Sequence, residues 1–520
     1  MNWFDSKYAE SYSGDKVIVV NFGSQYTHLI ARRVRDLNVF SLIVDYEDFS
    51  RDIVDKINPC AIILSGGPSS VFDENAPSVG KWLFELDTPI LGICYGHQLI
   101  AHLLGGVVRE GFGEYGPVDI RIVNENDLFK NWGLRGTVWM SHRDYVVEAP
   151  GIEILAVSEN NYIASFRVRD RKIYGVQFHP EVKHTWKGDL IISNFLFNIA
   201  NCRKTWFIEN IVSDIIDYIR KQINPGEKVL VATSGGVDST VTAVLIHKAI
   251  GDNIIPVFVN HGLLRKNEVD EVLNNLLGIG LKPLYIDASE RFLSKLENTV
   301  ECEERRKIIG EEFGRIFKEI IDENPSIKWI AQGTIYPDFI ESGGLKHSSR
   351  IKSHHNVAGF PQELGLKVIE PIKWFYKDEV RRIGKILGLP NSLINRQPFP
   401  GPGLGVRIIG KFTREKLEIL REATEIVENI LKKHGLLNNI WQAFPVIGDD
   451  KWIGIKGDKR FEGYIITIRI VESEDAMTAD YSRIPYSILD EITREITSRL
   501  PVTVVTYAVT PKPPSTIEPC

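Results

Sequence analysis

Two short stretches of this 520-residue chain carry residue types that do chemistry. Gly92-Ile93-Cys94-Tyr95-Gly96 follows the apolar run Pro89-Ile90-Leu91, and Phe178-His179-Pro180-Glu181 comes later. A cysteine between glycines on a strand-to-helix turn is exposed and oriented, and the helix N-terminus favours its thiolate. A thiolate nucleophile needs a base and a carboxylate to orient the base. His179 and Glu181, two apart in an extended segment, project to the same side and can supply both. The oxyanion formed on attack needs N–H donors. Gly66 and Gly67 of Ser65-Gly66-Gly67-Pro68 offer unobstructed amides, and Tyr95 offers another.

The second stretch is Ser234-Gly235-Gly236-Val237-Asp238-Ser239-Thr240, directly after Val229-Leu230-Val231-Ala232. It lacks the lysine of a Walker loop. Its two glycines free backbone amides, its hydroxyls add donors, and the following helix start adds positive potential, which together suit a pyrophosphate. Asp238 would repel phosphate unless it orients the loop or faces a cation, so it is read as a Mg²⁺ contact for bound ATP. No prosthetic group is called for. A thiol that cuts an amide, joined to a loop that grips pyrophosphate, implies ammonia made in one place and used in another.

Elements to position these residues are legible around them. Val17-Ile18-Val19-Val20, Ala61-Ile62-Ile63-Leu64 and Ile90-Leu91-Gly92-Ile93 read as buried strands, each ending in a loop with unusual residues. An amphipathic stretch over 193–221 ends at Asn224-Pro225-Gly226, where a second strand–loop–helix unit begins and continues through strands at 254–259 and 328–331. Gln397-Pro398-Phe399-Pro400-Gly401-Pro402-Gly403-Leu404-Gly405 reads as a rigid linker, since it lacks dinucleotide-loop spacing and follows no strand. A long helix over 413–434 and strands at 464–471 and 502–509 follow. The expectation is two parallel-sheet α/β domains, 16–203 and 204–396, then a smaller α+β domain, 397–520.

Composition sets limits. At 43% hydrophobic and 25% charged, with net charge −6 and pI near 6.1, the chain has no signature of nucleic-acid or membrane binding. No apolar run approaches the ~18 residues of a membrane helix. Five scattered cysteines without metal spacing suggest free thiols in a reducing, cytoplasmic setting.

Phe22-Gly23-Ser24-Gln25-Tyr26, Leu64-Ser65-Gly66-Gly67-Pro68, Gly92–Gln98 and Phe178–Val182 together resemble class I glutamine amidotransferases. That resemblance implies a Cys94, His179, Glu181 triad, with Gln98 and Ser141-His142 contacting glutamine. Arg143 stands where many such proteins have glycine. The 234–240 string resembles the loop of N-type ATP pyrophosphatases, which implies adenylation of a substrate oxygen. Further segments narrow the acceptor: Arg306-Lys307-Ile308-Ile309-Gly310, Gly333-Thr334-Ile335-Tyr336-Pro337-Asp338, 351–357, 399–405 and Lys512-Pro513-Pro514-Ser515-Thr516-Ile517-Glu518. With the two catalytic stretches, these resemble the glutamine-hydrolysing GMP synthetase family over nearly the whole chain.

The resemblance implies amination of xanthosine monophosphate (XMP) at C2, with ATP cleaved to AMP and pyrophosphate. It assigns Gly333 to ATP, and Arg306, Gln442, Lys512, Ile517 and Glu518 to XMP. It also implies a homodimer through the last domain and a mobile basic lid over 342–357. Two departures stand near the nucleotide-phosphate site: Val504 replaces an arginine of the family pattern, and Pro519-Cys520 replaces its Trp-Glu ending. An adenylating ligase for another acceptor, or a nucleotide-binding regulator with a decayed site, are the competing expectations.

Overall fold

The computed structural model describes residue 10 and residues 12–124, 126–339, 365–437, 440–473 and 478–520. The lid stretch 342–357 lies outside the described residues. Two compact units divide the chain, one built on Met1–Asn210 and the other running from Ile211 to Cys520.

In the first unit, β1 (Lys16–Asn21), β2 (Phe40–Asp45), β3 (Ala61–Leu64) and β4 (Ile90–Ile93) are buried at every position. Strands covered on both faces read as continuous apolar runs, which is why the sequence shows them clearly. With β9 (Ile173–Val176) they make a parallel sheet in the order β2-β1-β3-β4-β9. Register does the positioning. Leu64 pairs with Gly92, and Ile93 with Val176. The Ser65-Gly66-Gly67 loop, Cys94 and the 177–181 segment therefore leave neighbouring strands at one edge.

Beyond β9 the sheet continues antiparallel through β8 (Ile163–Val168), β7 (Ile152–Ser158), β5 (Val107–Ile122) and β6 (Arg135–Glu148). β5 and β6 mix exposed and buried positions and have little of the apolar-run signal. The amphipathic stretch 193–221 is not one helix. A π-helical turn, Asn194–Ile199, ends before Asn201 in the left-handed region, and a new helix spans Ile208–Gln222.

In the second unit, β10 (Lys228–Ala232), β11 (Ile254–Asn260), β12 (Leu284–Asp287), β13 (Ile327–Ala331) and β14 (Lys367–Ile369) form a fully parallel sheet, β12-β11-β10-β13-β14. Strand order reverses at β10, so the loop after it sits at the switch point where open sheets bind ligands. A second sheet pairs β15 (Gln442–Lys456) with β16 (Lys459–Glu472) antiparallel, with β17 (Asp480–Tyr481) and a parallel β18 (Val502–Tyr507) also on β16. The helices Arg414–Lys433 and Tyr486–Arg499 bury apolar faces beside it.

Two expectations are corrected. The 397–405 segment is no linker. Gly403–Arg407 is a buried 3₁₀ turn, Leu404 N–H donates to Leu263 O at 2.8 Å, and Leu404 shares one core with Leu230, Phe292, Leu420 and Ile466. At Gly403, φ is +61° and a Cβ would lie 2.3 Å from Leu263 O, so only glycine fits this contact. Nor are the cysteines all free thiols. Cys60 bonds Cys202, Cys302 bonds Cys520, and Cys94 alone is free. The pairs are 142 and 218 residues apart, so only folding brings their Cα atoms to 5.6 and 5.9 Å.

Candidate active sites

Cys94 joins β4 to the helix Tyr95–Leu103 with φ +51° and ψ −103°. A side chain in that region is strained by about 1–3 kcal/mol, and tight packing must hold it. The glycines on either side show how. A Cβ on Gly92 would lie 2.5 Å from the Gly96 backbone, and one on Gly96 would lie 2.5 Å from Leu64 O. The turn closes only because both lack side chains.

His179 Nδ1 and Glu181 Oε1 are 2.7 Å apart, and both side chains are buried. His179 and Cys94 both stand against Gly66, and the charge of Cys94 acts on the imidazole. The His179 backbone is fixed twice: its N–H donates to Trp139 O at 3.0 Å, and its carbonyl accepts from Thr185 Oγ1 at 2.6 Å. Burial alone would push the imidazole toward neutrality. The charges of Glu181 and Cys94 outweigh it and hold His179 well above its usual range. Tyr26 packs edge-on against the ring, with centroids 5.1 Å apart.

A Cβ on Gly66 would meet His179 Cε1 at 3.2 Å and Cys94 Cβ at 3.6 Å, so this backbone lies against both side chains. Gly67 packs equally closely, its would-be Cβ lying 2.8 Å from Phe22 O and 3.3 Å from Tyr95 Cγ. Tyr95 opens its helix, where N–H groups have no intrahelical acceptor.

Ser141, Gln98 and His142 are present but used differently from one another. Ser141 O accepts from Cys94 Sγ at 3.7 Å. Gln98 Nε2 donates to Asp144 O at 2.7 Å and to Gln177 Oε1 at 3.2 Å. The His142 ring is buried between Glu114 Oε2, at 3.0 Å, and Asp144 O, at 2.9 Å. Both side chains bond the backbone of Asp144, which closes the 141–144 segment, while the Glu114 partner carried no motif that would flag it.

The second site begins after β10. Gly235 has φ +76°, and a Cβ there would lie 2.3 Å from Val272 Cγ2. Ser234 N–H donates to Ser239 Oγ at 3.2 Å, the two serine hydroxyls lie 3.1 Å apart, and Thr240 Oγ1 donates to Gly236 O at 2.8 Å. Val237 opens the helix Val237–Ile250 and is buried. Gly333, after β13, packs on the loop: its would-be Cβ lies 3.1 Å from Ser239 N.

Asp238 pairs with Lys377 through one oxygen, while Oδ1 is buried without a partner among the described residues. Arg396 Nη1 donates to Gly235 O at 2.7 Å and its guanidinium pairs with Glu268. Lys377 and Arg396 escaped sequence reading. They come from the 377–396 region, and only the fold brings them to a loop that needs no lysine of its own.

The residues expected to bind a nucleotide acceptor gather around the 512–520 segment. Glu518 accepts from Arg407 at 3.1 and 2.9 Å and from Gln442 Nε2 at 2.6 Å. Arg306 donates to Cys520 O. Lys512 exchanges backbone hydrogen bonds with Ala479, and Ile517 is half-buried beside Glu518. Arg469 Nη2 donates to Thr516 O at 3.1 Å. Val504 sits on β18 opposite Ile465, and the basic groups around this segment include Arg306, Arg407, Arg469 and Lys512. Arg407 was missed because it closes the glycine–proline run read as a linker.

A buried Cys-His-Glu cluster on one parallel sheet and a pyrophosphate-type loop at the switch point of another define a glutamine-dependent amidotransferase coupled to an ATP-using ligase. Comparisons agree region by region. A glutamine amidotransferase class-I model matches residues 18–199, an NAD synthase model 207–310, and a GMP synthase C-terminal domain model 429–519. The GMP synthase [glutamine-hydrolyzing] of Pyrobaculum aerophilum is 54% identical over 508 residues, covering 97% of this chain and all of that one. Those of Aquifex aeolicus and Caldicellulosiruptor saccharolyticus are 49% and 50% identical, covering 96% of this chain and 99% of theirs. The chain belongs to the glutamine-hydrolysing GMP synthase family.

Proposed function

We propose that the chain makes GMP from XMP, ATP and glutamine. The carrying observation is the buried Cys94–His179–Glu181 cluster, with its 2.7 Å His179–Glu181 contact, in a chain that matches its relatives over their whole length. Cys94 Sγ attacks the glutamine carboxamide carbon, and the amides of Gly66, Gly67 and Tyr95 receive the oxyanion. His179 gives its proton to the departing ammonia, then takes one from the water that opens the thioester and frees glutamate. Glu181 holds the imidazole in orientation throughout.

In the second unit Ser234–Thr240 and Gly333 cradle ATP phosphates. XMP O2 attacks the α-phosphorus and pyrophosphate leaves. Ammonia then adds at C2 and AMP departs. Asp238, with one unpaired buried oxygen, fits a hard cation that completes its shell on phosphate oxygens and water. Mg²⁺ arriving with ATP would offset charge on the leaving pyrophosphate. Arg306 and Lys512 suit the XMP phosphate, and Gln442, Ile517 and Glu518 suit the base and ribose. We retain 16–203, 204–396 and 397–520 as functional divisions, with residues 204–210 falling in the first compact unit.

A homodimer through 397–520 is supported by the β15–β16 hairpin, which leaves Trp452, Ile453 and Ile455 exposed on one strand. No helix among the described residues is long and apolar enough to cross a membrane. A cytoplasmic setting is our inference from the nucleotide substrates.

The test is product formation from XMP, Mg-ATP and either glutamine or ammonium. Cys94→Ala should lose the glutamine reaction and keep the ammonium one. If neither protein makes GMP and AMP from ammonium, the acceptor assignment is wrong.

A further inference from the structure

The 511–520 segment contains no helix or strand, and half its residues are exposed. Its order comes from a few anchors, one of them covalent. Cys520 is bonded to Cys302 in the first turn of the helix Cys302–Glu323. Arg306 stands one turn further along the same helix face and donates to Cys520 O. Two residues earlier, Glu518 is gripped by Arg407 and Gln442. The disulfide thus fixes this segment to the helix that carries Arg306, beside the residues assigned to XMP.

We propose that the Cys302–Cys520 disulfide is a redox-dependent strap that pre-orders the XMP site. The proposal rests on the assignment of Arg306, Gln442 and Glu518 to XMP. Closed, the strap holds Ile517 and Glu518 in place before substrate arrives. Opening is a two-electron reduction by a dithiol. The dithiol supplies two electrons and two protons, the S–S bond breaks to two thiols, and the reductant closes to its own cyclic disulfide. Closure is the reverse, with a disulfide oxidant accepting the electrons. Once open, XMP binding must itself order the segment, and that entropy appears in KM, not in kcat.

The experiment uses the full chain in ammonium-driven synthesis, which bypasses Cys94. Non-reducing peptide mapping verifies the Cys302–Cys520 link before and after dithiothreitol. Reduction should raise KM for XMP about tenfold, leaving KM for ATP and kcat within about twofold. Cys302→Ser and Cys520→Ser should each sit at the reduced value and ignore the reductant, while Cys60→Ser keeps the response. An XMP KM that is equal in the mapped oxidised and reduced forms, or lower in the reduced form, overturns the strap. So do free Cys302 and Cys520 thiols in the oxidised protein. Glu518→Gln separates the two ideas. If it raises KM for XMP while reduction does not, the strap alone fails. If it leaves KM unchanged, the site assignment fails and takes the strap with it.

Discussion

The corner at Cys94 and the corner at Ser234–Thr240 are both strand–loop–helix turns at the edge of a parallel sheet, yet they are built on opposite plans. At Cys94 the strained backbone, the 2.7 Å His179–Glu181 contact and the close-packed glycines are in place without substrate. At 234–240 the hydroxyls and amides bond to one another, and Asp238 to Lys377. A nucleophile must be aimed before its substrate arrives, because misalignment costs rate directly. A phosphate cradle can satisfy its donors internally and exchange them for the ligand at little cost.

The largest effect that would sharpen this contrast is the separation of activities. Cys94→Ala should lower glutamine-driven GMP formation by at least about 10⁴-fold and leave ammonium-driven formation near wild type, in side-by-side steady-state assays. Glu181→Gln should cost about 10²–10⁴-fold in the glutamine reaction only, since the imidazole loses its orienting carboxylate. On the other corner, Asp238→Asn should lower the ammonium-driven rate by about 10²-fold and leave glutamine hydrolysis intact. If either substitution silenced both activities equally, the two corners would not be separate machines.

A smaller effect tests preorganisation itself. Gly96→Ala puts a Cβ 2.5 Å from the backbone carbonyl of Leu64, which cannot step aside. Denaturant titration should show a loss of about 2–4 kcal/mol in the first unit. Gly235→Ala meets the Val272 side chain, which can rotate, so its cost should be nearer the ~1–2 kcal/mol of a left-handed alanine. A reversed ranking would break the comparison.

Much of this was legible because the parallel strands are buried on both faces and the functional loops carry glycines that only close approach explains. Cys94, His179 and Glu181 announce themselves by type and spacing. What was illegible is what only tertiary structure supplies. Lys377 and Arg396 reach the 234–240 loop from distant sequence, and Cys302 finds Cys520 across 218 residues. The 397–405 run looked like a linker because proline and glycine mark turns. Its burial depends on Leu263, which no local pattern connects to it. The antiparallel half of the first sheet was missed because β5 and β6 have little apolar signal.

The subtlest effect is one of pH, and only its alkaline branch separates the two units. His97 in the first and His261 in the second are fully buried, and burial pushes them down to about 3 and about 4. Unfolding lets each take up a proton below its ordinary value of 6.5, so both units lose stability as pH falls from 6.5 toward 4. The slope is about 1.4 kcal/mol per pH unit for each proton gained. His179 works the other way. Its raised folded value means its stabilisation is complete below 6.5 and is lost as pH climbs through that folded value. Only the first unit carries this group. As pH rises above 6.5 toward that folded value, hydrogen exchange at the β1–β4 amides should accelerate beyond the intrinsic pH trend, while β10–β13 follow that trend. His179→Asn should abolish the difference. Equal alkaline losses in both units would mean that the Glu181 and Cys94 charges do not hold the His179 proton.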